Sequence, residues 1–485
     1  MTTLILFYVF LFLFTFIIFR NSYIMWKLNR DFTFGIATLI IFYFSLLGAF
    51  IFPLDSYLGF TGKTLGLHYL PIFDRLFPVA FDSDYLLACG YYMLFILVFQ
   101  YTYIIYVKRY VRIHKIDFNN VKTEPYEIII NPYIVMAISF SLVFIGAFIM
   151  RKEIYFAIAH ERSIYTTTRF NQNSLYTIHQ LANEMSVLLP FMAYSFTMIK
   201  SNRFNIRIDK KKGSMAIIFI TCFIASLYVT FLGNRREILS GLVFCTLISL
   251  NQIKNLNFKR YGFMFLFVLA FFLSNDFFRS RYIPHALNSV FHLEANGEVI
   301  ERVEQSFDAK SNIASVLFSN EMFYAHFSMY GVLHKDVPLT YGSSFVSLAV
   351  SFIPRAIYPD RMKDISYYYY DAVHAKSGQF YTLHHATAYY LNFGLPGIFI
   401  GGFILASFFI FAFFINFYSF KRKSIFWDLL KYLIPFLICG QLVTFITGGP
   451  EAYKSMILEG ILIPVLLLWV CCKKTTLEEN STRLI

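Results

Sequence analysis

The chain reads as an all-α polytopic integral membrane protein, and three observations carry that reading. Apolar runs of about 17 to 25 residues recur along it, the length that takes a helix across a bilayer. Charged residues make up 15% of the chain against 57% hydrophobic, too little polar surface for a soluble protein of this size. Every second connection between the runs is basic. The pattern breaks once, in a polar stretch of roughly 120 residues between Asn275 and Phe393, and a single long loop of this kind is where recognition or chemistry concentrates.

The apolar-run criterion gives about eleven spans. They cover Thr3–Phe19, Phe32–Leu54, Tyr85–Val107, Pro132–Met150, Leu181–Ile199, Met215–Leu232, Ile238–Ile253, Tyr261–Ser274, Leu395–Phe420, Leu429–Thr447 and Met456–Cys472. Residues 1–274 therefore form a membrane domain of about eight spans, 275–393 a large loop, and 394–485 a second membrane part of about three. Lys and Arg set the sidedness, because they accumulate on the cytoplasmic side. They follow the first span (Arg20, Lys27, Arg30), the third (Lys108, Arg109, Arg112, Lys115) and the fifth (Lys200, Arg203, Arg207, Lys210–Lys212). They follow the seventh (Lys254, Lys259, Arg260), the ninth (Lys421–Lys423) and the last (Lys473, Lys474) as well. This parity puts the N-terminus outside, the C-terminus inside and the large loop outside.

The net charge of +13 is mostly this topology signal. The charges lie in short separate loops rather than in one patch, which excludes nucleic acid as a partner. All six cysteines fall in spans or at their ends, so neither a disulfide framework nor a Cys-based zinc site is indicated. The inner loops, about 7 to 25 residues each, are too short to fold alone and carry no Gly-rich phosphate loop. A substrate must then arrive already activated, or a gradient must drive the protein.

The outer face has more to offer. Ten of the eleven histidines, all but His114, lie outside or near that boundary. Within the large loop Ile313, Val316, Leu317, Tyr324, Phe327 and Tyr330 recur at helical spacing, which predicts an amphipathic helix along the membrane surface. The apolar segment Phe345–Ile353 is too short to span and suits an interfacial element. The tyrosines Tyr367–Tyr370 fit interfacial anchoring first and sugar stacking second.

Outer arginines run against the positive-inside rule. Arg235 and Arg236 sit in the turn GNRRE, with Asn234 as an N-cap for the helix that follows. Two guanidiniums at a helix N-terminus suit a phosphate or pyrophosphate, and the same residues would serve equally as a polar hairpin tip with Arg236 paired to Glu237. Arg279, Arg281, Arg355 and Arg361 could complete a cationic rim. Glu184, Glu451 and Glu459 are carboxylates near the boundary, and an ionisable residue in or near a span points to function. Asp82 and Asp84 resemble the metal-binding acidic pair of glycosyltransferases.

The stretch FIPRAIYPDRMKD, followed by YYLNFGLPGIFIGG opening a span, resembles the Wzy-type O-antigen and capsule repeat-unit polymerases, over the overall topology and the stretch Tyr341–Gly402. The GNRR turn is similar to a Gly/Arg element of that family. Relatives often carry an acidic residue a few positions before the Asn-Phe-Gly, where this chain has Ala388. The resemblance implies a bacterial inner (plasma) membrane enzyme needing no cofactor. It would transfer a polyprenyl-pyrophosphate-linked glycan to another lipid-linked repeat unit on the extracytoplasmic face, with membrane lipid and a chain-length regulator protein as further partners. On that reading Arg235, Arg236, Arg279, Arg281, Arg355 and Arg361, with Tyr390 and Asn392, hold pyrophosphate and glycan. His384, His385 or Glu459 takes the proton from the acceptor hydroxyl. An O-antigen ligase and a polyprenyl-phosphate-sugar glycosyltransferase share much of this chemistry. A lipid-linked-oligosaccharide flippase is the rival of another class, although transporters usually show internal repeats and none is evident here.

Overall fold

The structure is a computed structural model that describes residues 2–29, 32–57, 79–115, 126–164, 167, 176–198, 206–209, 213–234, 236–251, 259, 262, 266, 282–293, 325–353, 358, 364–374, 383–417, 424–446 and 448–476. It is mostly helical, at 83%. Among the described residues six helices are long and apolar enough to cross a membrane, and a bent pair makes a seventh.

The N-terminal helices are α1 (Thr2–Asn29), α2 (Thr33–Ser45), α3 (Phe52–Tyr57) and α4 (Ser83–His114). Strand β1 (Tyr126–Ile130) precedes α5 (Pro132–Ile149), α6 (Arg151–Ala159) and α7 (Tyr176–Met198). Strand β2 (Ile206–Ile208) precedes α8 (Ser214–Phe231), α9 (Arg236–Asn251) and α10 (Tyr282–Phe291). Next come α11 (Ala325–His334), α12 (Ser343–Ser351), α13 (Ile365–Ala372), α14 (His385–Phe393) and α15 (Leu395–Phe417). The chain finishes with α16 (Ile425–Gly440), α17 (Leu442–Ile446), α18 (Ala452–Ile457), α19 (Ile463–Val470) and β3 (Cys472–Thr476).

Every expected span coincides with a helix except the eighth, Tyr261–Ser274, which lies almost wholly outside the described residues. The second is broken: α2 and the turns after it bend by 56°, next to Gly48 and Pro53. The tenth is divided between α16, which contains Pro435, and α17. Proline removes a helical hydrogen bond and crowds the preceding turn. Side chains on the spans lie bare in a way that water would penalise. Phe10, Phe12 and Phe16 are 64%, 62% and 67% exposed and Phe144 71%, as expected for faces solvated by lipid tails.

The chain divides into two compact units, each discontinuous in sequence. The first comprises Met1–Asn120, Ser311–Ser419 and Leu437–Ile461. Its helices are cross-linked by buried polar groups. Asn21 donates to Gln100 at 3.0 Å, and Gln100 donates to the Ile18 carbonyl at 3.1 Å and to Thr38 at 3.2 Å. Such bonds join α1, α2 and α4 where no water can compete. Helix α15 packs tightly on α4: a Cβ at Gly402 would stand 2.9 Å from the Phe95 carbonyl oxygen. Asp82 caps α4, accepting from the Tyr85 amide at 3.0 Å.

Of the residues expected to form an amphipathic surface helix, Ile313, Val316, Leu317 and Tyr324 lie outside the described residues, while Phe327 and Tyr330 fall on α11, which is buried rather than exposed on one face. Ala325 through Val332 are all buried. The small residues Ala325, Ser328 and Gly331 leave little to distinguish its faces, and its polar side chains find partners inside. A helix without a polar face belongs in a core.

The second unit comprises Val121–Lys310, Phe420–Phe436 and Leu462–Ile485. Helices α5, α7 and α8 meet at Gly146, where a Cβ would stand 2.8 Å from Asn183 Oδ1 and 2.9 Å from the Tyr228 hydroxyl. No pattern along the chain announces strands, yet this unit holds a three-stranded sheet of order β2-β1-β3. β1 runs parallel to β2 (Ile128 opposite Ile206) and antiparallel to β3 (Ile130 opposite Cys472). Ile128, Ile130 and Ile206 are buried, and Arg207 pairs with Glu127 across the parallel strands. Parallel strands need a long crossover, and α5 to α7 supply it. Strands of one sheet lie on one face of a membrane, so three of the basic connections share a side.

Candidate functional site

The densest buried polar cluster among the described residues of the first unit is built on α14. This helix has nine residues, too few to span, yet all of His385–Tyr389, with Leu391 and Asn392, are buried. It ends at Gly394, whose φ of +65° suits glycine, and α15 begins at once with Leu395 and Pro396. The short helix folds back along α15. A Cβ at Gly397 would lie 2.0 Å from the Tyr389 carbonyl oxygen, and one at Gly401 2.8 Å from the Tyr389 ring. The Asn-Phe-Gly-Leu-Pro-Gly segment is thus the tip of a close helical hairpin.

Asn392 fixes the hairpin to α12. Its amide nitrogen donates to Ser344 Oγ and, at 2.7 Å, to the Ala388 carbonyl. Its oxygen accepts from the Ser344 amide and from Thr340 Oγ1, both at 3.3 Å. Two donors and two lone pairs are then fully used, which leaves Asn392 no capacity for a ligand in this arrangement. Tyr390 is half-buried and stacks on Tyr91 at 5.3 Å.

His385 starts a directed chain. Its Nδ1 donates to the Gly448 carbonyl at 3.1 Å, which leaves Nε2 as the acceptor for the Tyr453 hydroxyl at 3.2 Å. Tyr453 in turn bonds the Tyr389 hydroxyl. With Tyr453 donating to the imidazole, Tyr389 donates to Tyr453. The rings of Phe95, Phe445 and Tyr453 surround the imidazole.

His384, one residue earlier, is wholly enclosed, and neither ring nitrogen has a partner. It stands edge-on to Tyr92 at 5.1 Å. The Tyr92 hydroxyl meets Thr387 at 2.8 Å and donates to the Ala325 carbonyl at 3.2 Å. Nearby His326 donates from Nδ1 to the Ser45 carbonyl at 3.1 Å and accepts from the Tyr85 hydroxyl at 3.1 Å. Desolvation lowers the pKa of His326 and His385 to about 3 and that of His384 well below the usual range. All three imidazoles are therefore neutral at pH 7.

Glu451 lies on the turn Gly448–Glu451 between α17 and α18. Its Oε1 accepts from the Ile365 amide at 3.2 Å, while its buried Oε2 has no partner. Burial raises its pKa to about 7. Glu459 is half-buried in the π turn Leu458–Leu462.

Asp82, Asp84 and His334 form a second group, with one ligand atom from each within 4.8 Å of the others. Two carboxylates and an imidazole suit a divalent cation. Asp82 is otherwise engaged as the α4 cap and as acceptor from Tyr330 at 3.2 Å.

Of the arginines singled out in the sequence, Arg235, Arg279, Arg281, Arg355 and Arg361 lie outside the described residues. Arg236 opens α9, directly after a turn in which the Asn234 amide donates to the Val229 carbonyl at 3.1 Å. The structure thus brings His385 and Asn392 onto one short helix, with His384 as the extended residue before it. It adds Tyr92, His326, Tyr389, Glu451 and Tyr453, which sequence alone did not join to them. In the sequence Glu451 stands out as a carboxylate near the membrane boundary and His326 as one of the histidines expected on the outer face; the tyrosines carry no such signal.

No family model, curated protein or solved structure matches this chain.

Proposed function

We propose that the protein polymerises polyprenyl-pyrophosphate-linked oligosaccharide repeat units into O-antigen or capsular polysaccharide on the extracytoplasmic face of a bacterial plasma membrane. The observation that carries the reading is the buried cluster on the α14–α15 hairpin, because it is built from the stretch that resembles these polymerases. A membrane enzyme that breaks and makes glycosidic bonds needs polar groups held where water is scarce. The donor sugar leaves its pyrophosphate, so the site also needs cations. Arg235, Arg236, Arg279, Arg281, Arg355 and Arg361 are the residues that the resemblance assigns that task. Proton acceptors suggested by proximity in sequence are His384, His385 and Glu459. The N-terminus lies outside and the C-terminus inside, by the basic connections.

Deleting the gene in its host and resolving the surface glycan on a gel tests this. Surface material with a single repeat unit is the expected result. Loss of surface glycan with long chains still on the lipid carrier means a ligase, and single units facing the cytoplasm mean a flippase. Arg236→Ala should abolish polymerisation with the protein still in the membrane, and wild-type chain lengths in that variant would remove the pyrophosphate role.

The Asp82–Asp84–His334 group favours one alternative, a metal-dependent polyprenyl-phosphate-sugar glycosyltransferase. A transfer activity abolished by chelation and by Asp84→Asn would select it.

A further inference from the structure

We propose, resting on the polymerase reading above, that Glu451 is the general base that takes the proton from the acceptor sugar hydroxyl. The argument is one of hydrogen-bond capacity. A base needs a free lone pair and an approach for the substrate. His385 fails on the first count, because Nδ1 is committed to Gly448 and Nε2 to Tyr453. His384 fails on the second, being 0% exposed. Glu459 lies within the last span, in its π turn.

Glu451 meets the first requirement, and as a residue it reaches the surface where His384 does not, although Oε2 itself is buried. One oxygen is anchored by the Ile365 amide and the other has no partner. The residue is only partly buried, and its turn opens on the outer side by the distribution of Lys and Arg. Gly449 makes the position of the free oxygen possible, since a Cβ there would stand 2.5 Å from Oε2. No basic side chain among the described residues pairs with Glu451. Lys454, three residues on, sends its ammonium to the Ser351 carbonyl at 2.6 Å and over the Phe352 ring. Among the described residues the titratable groups that act on Glu451 are Asp364 at the start of α13 and Tyr389 on α14. Burial first, then the Asp364 charge, holds the carboxyl up near neutrality, where a base is most effective.

In the step proposed, the acceptor oxygen forms the new bond to the donor's anomeric carbon as its proton passes to Glu451. The bond from that carbon to the pyrophosphate oxygen breaks, and its electron pair leaves with lipid pyrophosphate. Glu451 then returns the proton to water. His385, through its bond to the Gly448 carbonyl, is a positioning residue for the turn that carries this carboxylate.

The test uses the purified full-length chain in liposomes, with lipid-linked repeat units extracted from host membranes that lack the gene. Chain growth by the wild type should fall on the acid side with a midpoint near 7. Glu451→Gln keeps an acceptor for the Ile365 amide. It should slow growth by about 100-fold or more, lose the acid limb and still bind the lipid-linked unit. A variant that grows chains at the wild-type rate, or keeps the same acid limb, overturns the proposal and leaves the polymerase reading standing. A wild-type rate flat across the neutral range overturns it without recourse to any variant. A wild type that extends no chain at all overturns the polymerase reading instead.

Discussion

Replacing Gly397 by alanine should detach α14 from α15. The added Cβ would lie 2.0 Å from the Tyr389 carbonyl oxygen and 2.6 Å from its carbon. Real Cβ contacts do not come below 3.0 Å, so the two backbones must separate by at least about 1 Å. A side chain could rotate away, but a carbonyl inside a helix cannot. Overpacking costs about 1–3 kcal/mol when side chains yield, and a backbone obstacle belongs at the top of that range or above it. Alanine recovers up to about 1 kcal/mol of helix propensity, which leaves a net loss of about 2 kcal/mol or more. Gly90 on α4 is the control, since no atom lies within 4 Å of a Cβ built there. Gly90→Ala should be neutral or slightly stabilising. Thermal unfolding of the two purified variants in detergent reads the difference, and polymer length in cells reports whether the α14 cluster survives. A Gly397→Ala protein as stable as wild type, or a Gly90→Ala protein as damaged as Gly397→Ala, would refute the hairpin geometry.

Asn392→Leu strips four hydrogen bonds from the α12–α14 junction. It should lower stability by about 2–4 kcal/mol, visible as earlier thermal aggregation in detergent. Tyr453→Phe leaves His385 Nε2 without its donor and should cost about 1–3 kcal/mol; unchanged melting would mean that the chain from His385 to Tyr389 is unimportant. Stability should also depend on pH through Glu451. Its folded pKa is raised to about 7, so the folded state prefers the protonated carboxyl. The stabilisation is complete below the unfolded value and is lost as pH rises through about 7. Melting temperature should therefore fall across that window in the wild type and less in Glu451→Gln. Finally, single cysteines at Asp209 and Lys474, in a chain without other cysteines, should react with a membrane-impermeant label from the same side. Labelling from opposite sides is incompatible with the β2-β1-β3 sheet.

The helical membrane class was legible because its cause is local. A bilayer demands an apolar run long enough to cross it, and each run declares itself without reference to the others. Ten of the eleven expected spans fall on helices on that account, six or seven of them long and apolar enough to cross, and the eighth lies almost wholly outside the described residues. The basic connections were likewise countable along the chain, and three of them meet in one sheet. The sheet itself was hidden. Its strands are three to five residues long and lie far apart in sequence, so no periodicity could build up.

What the sequence could not decide is which polar residues meet. His384–His385 was visible as a pair, but Tyr453 lies 68 residues beyond His385 and Ser45 281 residues before His326. At Phe327 and Tyr330, the two described residues of that spacing, there is a helix as expected, but it is buried instead of lying on a surface. Spacing gives the faces of a helix but not the neighbours that cover them. The sequence by itself determined the helical membrane class and the places of most of its apolar helices. The tertiary structure alone decided that α14 folds back along α15, that Asn392 is saturated, and that Glu451 keeps a free oxygen. Those outcomes depend on helices packing against one another at distances set by single glycines, and that information is spread over the whole chain.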